Sequence, residues 1–172
     1  MARNLASMLS TVRFSHVFTS PRQRARQTAL LAGLGGHVEI DPCLEEWDYG
    51  DFEGMTSAQI RAVWPRWDVF DNGCPGGENL DDVVVRADGL IQRLRALHGN
   101  IALVSHGQFG SVLAARWIGL PGGEGRHFVL APASISTLGY RPGHPDVAAI
   151  TRLSVATNVS EADAHDFHVL PC

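Results

Sequence analysis

With 172 residues, 45% of them hydrophobic and 19% charged, the chain has the make-up of one globular domain with a full core. A net charge of −4 leaves no basic footprint for nucleic acid, and no apolar run reaches the roughly 20 residues of a membrane span. Three cysteines, Cys43, Cys74 and Cys172, are odd in number and lack a CxxC spacing. They argue against a disulfide framework or a zinc site and for a reducing cytoplasm.

The chain opens in an amphipathic helix, because Leu5, Met8, Leu9 and Val12 fall at i, i+3, i+4 and i+7. That spacing is not the continuous apolar stretch of a signal peptide. HVFT, residues 16–19, is a short β-rich run. Ser20-Pro21 then offers an N-cap and a proline at the first helical position, predicting a helix to about Leu34. Val38-Glu39-Ile40 reads as a strand and 42–54 as a loop. Thr56 with Gln59 forms a capping box for a helix closed by Pro65. DNGCPGGE, 71–78, is a turn-rich loop, and a long amphipathic helix starts at Asn79 with Leu80, Val83, Val84, Ala87, Ile91 and Leu94 on one stripe. A strand at 101–105, a helix at 108–118 and two strands at 134–140 and 147–155, around the turn Arg141–Pro145, complete the pattern. Alternating strands and helices predict an α/β fold with a mainly parallel sheet covered on both faces. The expectation is a single domain over 1–172, with 156–172 as a tail.

Three segments carry candidate chemistry. In TSPRQRARQTA, 19–29, arginines at 22, 24 and 26 read by themselves as a solvated helix face. Ser20 and Arg24, however, fall at a strand end and in a first helical turn, where free N–H groups and a guanidinium fork suit a phosphate. LEEWDYGDFEG, 44–54, is either a polar loop or the seat of a carboxyl packed on Trp47 and Tyr49 and tuned to donate a proton. IALVSHGQFG, 101–110, runs from a buried strand straight into a helix, which leaves His106 at a carboxyl strand end. Ligands of α/β sheets bind at such ends.

In this order the segments resemble the histidine phosphatase superfamily, the phosphoglycerate mutase-like group. The resemblance rests on Ser20 with Arg24-Ala25-Arg26-Gln27-Thr28-Ala29, on Leu44, Glu46, Gly50, Glu53 and Gly54, and on Val104-Ser105-His106-Gly107. DYGDFEGMT, DNGCPGGEN and AARWIGLP look most like its acid phosphatase and sugar bisphosphatase branch. The resemblance implies a three-layer α-β-α fold and hydrolysis of small phosphorylated metabolites through a phosphohistidine. It needs no metal or cofactor, since fixed cations and donors stabilise the transferring group. It assigns Arg24 as a phosphate arginine, Glu46 as the general acid and His106 as the second histidine, with Ser20, Gly107 and Gln108 as substrate contacts.

The nucleophile of that group belongs to an R-H-G sequence ending the first, central strand. No R-H-G occurs in these 172 residues, and the one R-H pair, Arg126-His127, lies late in the chain. The expectation is therefore an N-terminally truncated chain with its central strand missing and little or no turnover. Unpaired backbone groups along Ile101–Ser105 would then cost roughly 1–3 kcal/mol each if buried. The run 166–171 is one conceivable filler. A non-catalytic domain that binds phosphate or phospho-ligands, and a phosphoglycerate mutase, stand as alternatives. Oligomeric state and physiological substrate carry no diagnostic residue.

Overall fold

Three short parallel strands place everything that follows. In the computed structural model, which describes residues 2–156, β1 (His16–Thr19) lies between β2 (Glu39–Ile40) and β3 (Ile101–Val104). His16 sits opposite Ile101 and Thr19 opposite Val104. The two strands therefore stop side by side, and the Ser20 N–H donates to the Val104 carbonyl at 2.9 Å. This register brings Ser20 next to Ser105 and His106 from the other half of the chain.

Helices cover both faces. Alternation along the strands sends Phe18 and Leu103 one way, onto the main hydrophobic cluster, and Ala102 the other way. Ala102 is buried outside that cluster, as are Leu5 of α1 (Ala2–Leu9) and Ala25 and Ala29 of α2 (Gln23–Leu31). The main cluster joins Leu44, Trp47 and Ile60 to Val83, Ala87 and Leu90 of α5 (Leu80–Arg95) and to Phe109 and Val112 of α6 (Gly107–Trp117). The predicted α-β-α layering is what forms.

Local capping explains the helix starts. The box Thr56–Gln59 opens α3 (Ser57–Val63), and a second box, Asn79 with Asp82, opens α5. A short helix, α4 (Val69–Asn72), was not legible in the sequence; the Asp68 carboxylate caps it by accepting from the Phe70 N–H. Some boundaries differ from expectation. Helix α2 begins at Gln23 with Arg22 at its N-cap, not at Ser20, because Ser20 still belongs to the end of β1. The opening helix stops at Leu9, so Val12 lies beyond it and is exposed.

The C-terminal strands β4 (Ile135–Arg141) and β5 (His144–Val155) form a separate antiparallel hairpin, tied to α6 by the Trp117 indole N–H, which donates to the Gly139 carbonyl at 2.9 Å. The turn is only Pro142-Gly143, with Gly143 at φ +75°, so β5 starts three residues earlier than expected. Among the described residues β3 has a strand partner on one side alone. Ile101, Leu103 and Val104 are half-buried rather than sealed, so water can meet much of that edge. The run 166–171 lies outside the described residues. No helix among the described residues is long and apolar enough to cross a membrane.

Candidate active site

The adjacent ends of β1 and β3 set out a small polar cluster. Arg24, in the first turn of α2, donates from Nε to His106 Nδ1 at 3.1 Å. An Nδ1 that accepts from a guanidinium carries no proton, so the imidazole proton is on Nε2. Nε2 lies 2.8 Å from Ser20 Oγ, to which it donates. The same hydroxyl oxygen accepts from the Arg22 N–H at 3.2 Å. Burial first, then the charges of Arg24, Arg22 and Arg86, push the His106 pKa down to about 4. Near neutral pH this is an uncharged imidazole presenting an N–H donor. His106 is also the N-cap of α6, so the Gly107 N–H that opens the helix lies beside the ring.

Glu46 reaches the same helix start. Its Oε1 accepts from the Phe109 N–H at 2.8 Å and the Trp47 N–H at 3.0 Å, and Oε2 accepts from the Gln108 N–H at 3.3 Å. A carboxylate is thus seated on the first-turn donors of α6, favourable both as a cap and with the helix dipole. It lies near the Tyr49 phenol, whose pKa is pushed up to about 12 by burial and next by the Glu46 charge. Of the acids in loop 44–54, Glu46 is thus the one that reaches the start of α6, with Tyr49 nearby and Trp47 contributing a backbone donor. Gln108 offers its main chain to Glu46 and its side chain to Tyr49.

All six sequence candidates, Ser20, Arg24, Glu46, His106, Gly107 and Gln108, converge here. Three further residues were not singled out. Arg22 stands 3.5 Å from Glu45 and contributes to the field on His106. Glu78 and Arg86 form a bidentate ion pair at 2.8 and 2.9 Å behind the acid loop. The pointer to Glu78 was the preceding Gly76-Gly77. A Cβ on Gly77 would lie 2.3 Å from the Asp48 carbonyl, and one on Gly50 would lie 2.2 Å from the Pro75 carbonyl. Loop 74–78 is therefore a backbone brace for the acid loop.

No other histidine of the described residues joins His106. His16 opens β1 at the end remote from Ser20, His37 and His98 lie in connections, His127 pairs loosely with Glu124, and His144 opens β5. His165 and His168 lie outside the described residues.

A family model described as "Histidine phosphatase superfamily (branch 1)" matches residues 1–152. The chain belongs to the histidine phosphatase superfamily. An acid phosphatase of Mycobacterium tuberculosis is 41% identical over 137 residues, covering 78% of this chain and 66% of that protein. A sedoheptulose 1,7-bisphosphatase of Saccharomyces cerevisiae is 32% identical over 131 residues, 62% of this chain and 48% of that one. The chain thus spans about half to two thirds of the length of these two relatives. Among solved structures, an open reading frame of M. tuberculosis superposes with a TM-score of 0.82 at 35% identity, covering 90% of this chain and 80% of that one. A mycobacterial glucosyl-3-phosphoglycerate phosphatase with VO3 gives 0.77 at 26% identity, covering 90% and 83%.

Proposed function

We propose that the protein is a phosphomonoester hydrolase of the phosphohistidine type acting on small phosphorylated metabolites, and that its described residues supply the phosphate-binding and acid groups with no nucleophilic imidazole among them. The observation that carries the reading is the direct Arg24–His106 contact at 3.1 Å, with Ser20 Oγ on the other imidazole nitrogen. A guanidinium and a neutral imidazole N–H are held together at the start of α6. A phosphoryl dianion takes the place of Ser20 at Nε2 and draws the Arg24 fork toward its oxygens. The dianion then favours protonation of His106, which releases Arg24 from Nδ1 to face the ligand fully. Glu46, keeping Oε1 on the Phe109 N–H and taking up a proton from solvent at Oε2, is placed to carry that proton to the leaving oxygen.

The covalent step needs an imidazole facing the phosphorus opposite the leaving group, and none of the described residues provides it. The chain is accordingly expected to bind inorganic phosphate by calorimetry while turning over an aryl phosphate little or not at all. Arg24→Ala should weaken phosphate binding about 10- to 100-fold, the worth of a charged hydrogen bond. Absence of heat with phosphate and with sugar phosphates would sink the reading. Robust turnover abolished by His106→Ala, but surviving replacement of every other histidine, would make His106 the nucleophile instead. That no second imidazole lies beside His106 among the described residues also favours a purely phosphate-binding role. Binding without turnover in a chain extended upstream of Met1 would establish that second reading.

A further inference from the structure

We propose that Arg86 is the positioning residue for Glu46, fixing at once the backbone that carries the acid and the surface on which its carboxylate rests. The proposal rests on the reading of Glu46 as proton donor. Arg86, on α5, is largely buried, as is Glu78, with side chains 16% and 21% exposed. Its Nε and Nη2 grip the two Glu78 oxygens, while Nη1 donates to the carbonyls of Cys43 at 3.0 Å and Glu45 at 2.7 Å. The Glu46 carbonyl lies 3.5 Å from Nη2. One planar fork therefore collects three carbonyls of the acid loop.

The other face of the guanidinium matters equally. Its Cζ lies 4.4 Å from the centre of the Phe109 ring, and the Phe109 N–H is the shortest donor to Glu46. Arg86 thus holds both the residue that projects the carboxylate and the residue that receives it. Glu78 completes the frame: Oε2 accepts from the Asp48 N–H at 2.9 Å, and its carbonyl accepts from the Trp47 indole at 2.9 Å. A lysine has one ammonium on a flexible stem and cannot span the Glu78 carboxylate and two carbonyls together. A salt bridge made only for stability would not need contacts on both sides of Glu46.

Amide hydrogen exchange of the free protein, followed residue by residue by NMR, tests this without requiring turnover. The Phe109 N–H lies in the first turn of α6, where no helical carbonyl reaches it, so Glu46 is its protection. Arg86→Met keeps an apolar side chain on the Phe109 ring and removes every donor. It should speed Phe109 exchange about tenfold relative to Leu90 in the core, the worth of one such hydrogen bond. Arg86→Lys should recover only part of the protection. In a Glu46→Ala background Phe109 should already exchange fast, and Arg86→Met should add nothing. Phe109 exchange that is unchanged, that moves in step with Leu90, or that accelerates equally without Glu46 overturns the proposal. If Arg86→Met fails to fold, Arg86→Lys carries the same comparison. Phosphate titrations on the same samples separate the two ideas: wild type that shows no phosphate binding ends the phosphatase reading and leaves the exchange result standing.

Discussion

The two sides of the site are built to different standards. On the acid side, Glu46 hangs from a loop whose neighbours are among the most buried residues of the molecule. Trp47 and Leu44 are both 0% exposed, and the Arg86–Glu78 pair and the Gly50 and Gly77 close contacts lock the backbone. On the cation side, Ser20, Arg24 and His106 stand at the end of two four-residue strands, one of them an edge among the described residues. They hold one another, with Arg24 donating to a neutral imidazole. Glu46 is fixed by the fold, whereas Ser20, Arg24 and the neutral His106 are held by one another, and on the proposed reading an incoming anion completes them. On that reading, Glu46 is a pre-organised proton donor beside an adjustable anion clamp, which suits a reaction in which charge on phosphate oxygens changes while the leaving oxygen stays in place.

The largest expected effect attacks the rigid side. Trp47→Ala removes a fully buried ring packed edge-on to Phe70 at 5.5 Å and the indole donor to Glu78. It should cost about 3–5 kcal/mol of unfolding free energy in urea. A loss below about 1 kcal/mol would mean that the acid loop is not anchored through this core.

The next effect belongs to the adjustable side and is read by pH. His106 has a folded pKa of about 4 against an ordinary 6.5, so between those values the unfolded chain binds a proton that the folded chain refuses. Stability therefore falls as pH drops from about 6.5 to about 4 and is insensitive to His106 above that window. The imidazole is partly exposed, so the loss is on the order of 1–3 kcal/mol. His106→Gln should remove it, and the difference between wild-type and variant urea midpoints across the window isolates it from the carboxylates. A difference that stays flat down to pH 4 contradicts the buried, Arg24-facing imidazole.

What the sequence disclosed follows the range of the forces involved. The capping box at Thr56, the helix start at Asn79 and the strand end at Thr19 are decided within a few residues, and they were legible. Ser20 was legible as a polar group at a strand end. Its use was not, because its hydroxyl serves His106, 86 residues away, instead of capping α2. Glu46 could be picked out among five neighbouring acids only through the ordered family pattern. Its partners, the Gln108 and Phe109 N–H groups, belong to a helix start that no spacing in loop 44–54 indicates. Arg86 was hidden more deeply. On α5 it stands between exposed Val85 and buried Ala87, where an arginine reads as ordinary helix surface, and only the docking of loop 43–48, with three carbonyls, and of the Glu78 carboxylate, with two oxygens, gives it five acceptors.

The smallest effect sharpens the contrast. Asn79 follows Glu78 directly and caps α5, its Oδ1 accepting from the N–H groups of Asp81 at 2.8 Å and Asp82 at 3.1 Å, while Asp82 answers to the Asn79 N–H at 3.0 Å. Asn79→Ala should cost about 1 kcal/mol of stability, the usual worth of such a cap. Glu78 is held independently by Arg86, by the Asp48 N–H and by the Trp47 indole. Fraying the first turn of α5 should therefore leave the acid loop where it is, with phosphate affinity and Phe109 exchange unchanged relative to Leu90. If Asn79→Ala weakens phosphate binding while stability falls by only that amount, the acid side is not over-determined. The helix start would then be transmitting its disorder through Glu78 to Glu46, and rigidity would reside in the cap instead of the ion pair.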